Sequence, residues 1–123
     1  MAKSNDLVGI GVPPVVASAL GWNPASATGA GTAQGGSSPT AYAQSFVMLT
    51  TASSQTAITL DSAWPVGAWG AVATITATTG LLFPPSGCKF DNGTTDASTS
   101  IAQNKTRLIY RASATLFYTI LGG

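Results

Sequence analysis

The sequence predicts an all-β fold, an antiparallel sandwich, jelly-roll-like or a small barrel, with an extended N-terminal arm carrying a short helix. Three observations lead there. From residue 41 onward, short runs of β-branched and aromatic side chains recur between Gly, Pro, Asn and Ser turn signals. No convincing helical period interrupts them. Residues 23–40, NPASATGAGTAQGGSSPT, offer almost no apolar side chain to bury and read as a linker or extended arm. The chain therefore divides into an N-terminal anchoring segment, 1–22, a Gly/Ser/Ala-rich linker or arm, 23–40, and a β-domain, 41–123.

Taken in order, Asp6 can cap a turn over residues 7–10. Pro13 and Pro14 suit the first turn of a short helix that runs through Leu20 and stops at Gly21. About two turns cannot hold themselves together in water. Leu7, Val8, Ile10, Val12, Pro13, Pro14, Val15, Val16, Leu20 and Trp22 therefore need a surface. We expect that surface to belong to a neighbouring protein, with packing back onto the chain's own β-domain as the alternative. A linker that reaches ~60 Å when pulled straight allows either.

Within the β-domain, strands are expected over residues 42–50, 56–60, 69–77, 81–83 and 88–90, with a loop at 61–67 around Trp64. Ile58 and Leu60 alternate with Ala57 and Thr59, as a strand with one buried face requires. Asp91-Asn92-Gly93 is a strong turn. Residues 98–121 read as a three-stranded meander over 98–101, 106–111 and 115–121. Its last strand is the most apolar. Charged residues make up only 7 % of the chain, against about 25 % in ordinary soluble domains, so much of the surface should be covered. The chain is accordingly expected to associate rather than stand alone, with Leu116, Phe117, Tyr118, Ile120 and Leu121 near the shared core of the assembly.

The chemistry is sparse. There is no His and no Glu, so the usual general bases are reduced to a few aspartates. Asp91 and Asp96 lack the spacing of a calcium loop, and a Ser-Lys pair built on Lys89 or Lys105 has nothing to recommend it. The Gly-rich steps at 29–31 and 35–36 lack the flanking strand and helix of a phosphate loop. Cys88, the single cysteine, can form neither an internal disulfide nor a redox pair, and reads as a small buried hydrophobe. Arg107 and Arg111 lie on one strand face and should be solvated or paired with a neighbour's Asp, with an acidic partner as the alternative. A net charge of +1 gives no signal for nucleic acid, and the apolar run at 7–20 is too short to span a bilayer. That run is also broken by prolines and does not look like a secretory leader, so the chain is expected to be made and kept in the cytoplasm or assembled into something there, and the triplets at Asn92 and Asn104 are expected to stay unglycosylated. Catalysis, a cofactor and a metal are not expected.

The plan of the whole chain resembles that of small tailed-phage virion proteins of the capsid decoration (cement) or head-fibre type. The resemblance rests on three features of the sequence: the segment LVGIGVPP at 7–14 with its Ala-rich follow-on, the Gly/Ser tether, and a β-domain carrying FPPSG at 83–87, SIAQNKT at 100–106 and LFYTIL at 116–121. It implies a trimeric β-domain on the capsid exterior that binds the major capsid protein and cements neighbouring capsomers. The alternative is a receptor- or glycan-binding fibre module, presenting loops 61–67 or 91–96 with an exposed Trp64 stacked on a sugar, although burial is the plainer expectation for that tryptophan.

Overall fold

The computed structural model describes residues 23–91 and 93–122; the expected anchoring segment and its helix lie outside these described residues. The described chain is all-β. Its strands are β1 (Asn23–Thr28), β2 (Thr40–Ala41), β3 (Ser45–Thr50), β4 (Ala57–Leu60), β5 (Trp69–Thr74), β6 (Gly80–Phe83), β7 (Lys89–Phe90), β8 (Thr99–Ile101), β9 (Thr106–Arg111) and β10 (Leu116–Gly122). They form a six-stranded sheet, ordered β1-β3-β5-β9-β10-β7, and a four-stranded sheet, ordered β2-β4-β6-β8.

Up to β6 the chain alternates between the two sheets at every strand, so successive strands within each sheet run parallel. Asn23 pairs with Ser45 and Phe46 with Ala71 in the larger sheet; Thr40 pairs with Thr59 and Ala57 with Leu81 in the smaller. This is the winding of a short two-sided solenoid. It corrects the expected antiparallel sandwich, jelly roll or barrel. Parallel neighbours need a crossover, and here the crossover of each sheet is a strand of the other. The solenoid then changes character. β5 and β9 pair antiparallel, β9 and β10 form the expected hairpin, and the brief β7 adds parallel to β10. The expected third meander strand does not join them: β8 pairs antiparallel with β6 in the other sheet.

Side chains from both sheets meet in one core. Val47, Leu49, Val72, Ile109 and Phe117 come from the six-stranded sheet; Ile58, Leu60, Leu82 and Ile101 come from the four-stranded one. Trp64 and Cys88 complete it, Cys88 buried as expected. One member of this layer is mismatched to its surroundings. Thr74 is fully buried, and its hydroxyl has no hydrogen-bond partner among the described residues. Thr74→Val keeps the shape and removes a desolvated polar group, so chemical denaturation should find the variant more stable by about 1 kcal/mol.

The largest departure from the sequence reading concerns residues 23–40. They are not a linker. β1 pairs along its whole length with β3, and Ala25 and Ala27 pack against the core. The following Gly-rich stretch lies against the outer side of the four-stranded sheet. Gly35 N–H donates to Thr59 Oγ1 at 3.0 Å, and Gln34 Nε2 donates to the Pro84 carbonyl at 2.6 Å and to Asp96 Oδ1 at 3.0 Å. Ala57 and Thr59, which point away from the core, are buried beneath it. Small residues are what allow the backbone to come this close. A Cβ at Gly29 would sit 2.5 Å from the Gln55 carbonyl oxygen, inside any tolerable contact. Gly29→Ala is therefore expected to lower stability by about 2 kcal/mol, a loss that a free linker would not register in a denaturation curve.

Candidate functional site

The side chains of Asp61, Asp91, Asp96, Arg107 and Arg111 are tied into the fold. Arg111 Nε and Nη2 donate to the carbonyls of Ser113 (3.2 Å) and Ala114 (2.6 Å), and Nη1 donates to those of Ser62 (3.1 Å) and Trp64. Its guanidinium carbon also lies 5.1 Å from the centre of the Phe117 ring, a cation–π distance. Arg107 reaches the Ser100 carbonyl through Nε (3.1 Å) and Thr119 Oγ1 through Nη1 (3.0 Å). The same threonine hydroxyl donates to Asp91 Oδ2 at 2.9 Å, while Thr119 N–H donates to Asp91 Oδ1 at 3.1 Å. Asp96 Oδ1 accepts from Gly87 N–H at 2.7 Å as well as from Gln34. The sequence reading puts both arginines in solvent or on a neighbour's Asp. Each instead bonds groups of its own chain.

Among the described residues no group of three or more His, Cys, Asp or Glu is placed to hold a metal ion. No helix of the described residues is long and apolar enough to cross a membrane. Trp64, which only the fibre-module alternative needs as an exposed platform, is 2 % exposed. Its Nε1 donates to the Ala68 carbonyl at 3.0 Å, and its ring meets Phe117 edge-on at 5.9 Å. A sugar cannot stack on it there.

What the fold does present is the outer face of the six-stranded sheet. Strand register assigns its rows. Pro24, Phe46, Ala71, Leu108 and Ile120 lie side by side across β1, β3, β5, β9 and β10. Ser26, Met48, Ala73, Thr106 and Gly122 form the next row, and Trp69, Tyr110 and Tyr118 a third across β5, β9 and β10. From β1 to β10 none of these side chains is charged; Lys89, beside Leu116 on β7, stands at the rim. Phe46, Met48 and Trp69 are each more than a third exposed, Tyr118 and Ile120 about half or more. Trp69 and Tyr110 are in ring contact at 4.7 Å, so the aromatic row is itself packed.

The residues expected at a trimer interface separate along this geometry. Tyr118 and Ile120 lie on the outer face and Leu116 is half-buried at its edge. Phe117, by contrast, is fully buried in the chain's own core, and Leu121, facing the other way from Ile120, is exposed near the end of β10. The expected docking residues between Leu7 and Trp22 lie outside the described residues. Phe46, Met48 and Trp69 have no role in the sequence reading. A signal for the first two was present: SFVMLT at 45–50 is apolar on both of its alternating sides, and only one side can face the core.

No protein family, curated protein or solved structure matches the chain.

Proposed function

We propose that this protein is a structural component of a phage virion, bound to the outside of the capsid and holding neighbouring capsomers together as a trimer. The resemblance of its overall plan supports that reading. The observation that carries it is the outer face of the six-stranded sheet, charge-free from β1 to β10 and rich in exposed apolar side chains. Such a face costs solubility unless something covers it. The described arginines, Asp91 and Asp96 make hydrogen bonds within the fold, which suits a scaffold better than a catalyst. On this reading the docking residues are those between Leu7 and Trp22, and the contact is with the major capsid protein.

Co-sedimentation of the purified full-length chain with capsid shells tests this directly. Wild type should bind stoichiometrically, and Val15→Asp combined with Val16→Asp should weaken binding by several kcal/mol through buried, unpaired charge. Full occupancy by the double variant would remove the N-terminal segment from the contact. No binding by wild type would overturn the function.

A second reading, a receptor- or glycan-binding fibre module, finds a different support from the one expected. Trp64 is buried, but the row Trp69, Tyr110 and Tyr118 offers aromatic rings to solvent. Saturable binding of a neutral oligosaccharide, lost in Trp69→Ala, would favour it.

A further inference from the structure

We infer that the outer face of the six-stranded sheet is where copies of this chain meet. The inference rests on the reading of the protein as an assembling structural subunit, and adds to it the surface and the occupant.

The composition of the face is the first argument. Phe46, Met48, Trp69, Tyr110, Tyr118 and Ile120 occupy its middle. Aromatic residues and Met are the types enriched at the centre of protein interfaces, where charge is depleted. The polar residues lie around them: Ser26 and Thr28 on β1, Thr50 at the end of β3, and Lys89 on β7. An apolar middle with a polar rim is the anatomy of an interface. It also differs from the four-stranded sheet, whose outer side is covered by the chain's own Gln34–Gly35 stretch. Among the described residues, the fold covers one of its two outer faces and leaves the more apolar one open.

Charge selects the occupant. A partner bringing a charged surface to this face would have to strip water from those charges and find nothing to pair them with. An identical face meets no such cost. It is neutral and apolar, and three copies that turn this face towards a common axis cover one another's side chains, as the proposed trimer requires. Extent is consistent with this. Five strands at ~4.8 Å and about six residues at ~3.3 Å cover roughly 24 by 20 Å, or about 500 Å2 per copy. Three such faces turned inward give about 1,500 Å2 in all, above the roughly 1,000 Å2 that specific association needs.

The test is the mass of the full-length chain by light scattering. Wild type at micromolar concentration should give a multiple of the chain mass. Met48→Lys with Ile120→Lys, two exposed positions on adjacent rows, should shift it to monomer or raise the dissociation constant at least a hundredfold. Ser100→Lys, which adds the same charge on the other layer, should leave the oligomer unchanged. Circular dichroism checks that the variants are folded. If the double variant fails to fold, hydroxyl-radical footprinting of wild type replaces it. Met48, Trp69 and Tyr118 should lose reactivity as concentration rises, while Leu81 on the other layer keeps its own. Equal masses for wild type and double variant would overturn the inference, as would footprints that do not change with concentration. Capsid co-sedimentation is scored separately. A chain that self-associates through this face but ignores capsids overturns the virion reading and leaves the inference standing, and one that binds capsids as a monomer overturns the inference and the trimer but leaves capsid attachment standing.

Discussion

Arg111→Ala should lower the unfolding free energy by about 3 kcal/mol, more than the loss of any other single charged group in the described fold. The reason is geometric. One guanidinium donates to the carbonyls of Ser62, Trp64, Ser113 and Ala114, joining the loop before β5 to the β9–β10 turn. It also lies over the Phe117 ring. Each hydrogen bond to a charged group contributes about 1.5–3 kcal/mol at most, and four on one partly exposed side chain do not add fully. The carbonyl of Trp64 is the one that suffers most, because that residue is buried. Arg111→Lys should recover only a minority of the loss. A single ammonium cannot reproduce a planar fork serving carbonyls on two separate segments. Urea denaturation of the three proteins measures this. An alanine variant within about 0.5 kcal/mol of wild type would mean that water replaces all four bonds without cost.

How much of this was legible in the sequence depends on whether the information was local. Strand existence was local. VAT in β5, AITL in β4 and the β9–β10 hairpin all carry alternation or β-branched density, and each forms close to where it is expected. Pairing partners were not. Nothing in TSI at 99–101 says that it will pair with β6 rather than with β9, because both choices bury Ile101 equally well. The parallel winding was hidden for the same reason: it depends on which sheet each strand enters, and the turns do not encode that.

Residues 23–40 mislead for a more specific reason. A composition of Gly, Ala, Ser and Thr signals flexibility when nothing is near, and close approach when something is. Gly29, with no room for a Cβ beside Gln55, belongs to the second case. The consequence for experiment is practical. Cutting the chain after residue 40, as a linker reading would suggest, removes β1 and with it one edge of the six-stranded sheet. The candidate site was half legible. Tyr118 and Ile120 belong to the expected interface strand, and the face they share with Phe46, Met48 and Trp69 emerges only once β3, β5, β9 and β10 are placed side by side.

The position of Trp64 leads to the second large effect. Gly70 lies in β5 opposite Ile109, on the side facing the core. A Cβ built there would sit 2.3 Å from Trp64 Cη2 and 2.7 Å from Cζ2. The six-membered ring of the indole therefore occupies the space over a strand position that has no side chain, while the indole also packs in a T-shaped arrangement with Phe117 at 5.9 Å. Gly70→Ala cannot be absorbed by a small shift, because Trp64 is 2 % exposed and its Nε1 is held by the Ala68 carbonyl. Overpacking of this kind costs about 1–3 kcal/mol, and loss of the indole hydrogen bond adds to it, so a fall of about 3–4 kcal/mol is expected. Trp64→Leu alone should cost about 3 kcal/mol through the cavity it opens. The two should not add. In the Trp64→Leu background the ring that blocks the methyl is gone, and Gly70→Ala should cost less than about 1 kcal/mol, a coupling of at least about 2 kcal/mol between the sites. Denaturant unfolding of the wild type, both single variants and the double variant closes the cycle. Additive losses would mean that Gly70→Ala acts on the strand itself and that the indole does not depend on the space the glycine leaves.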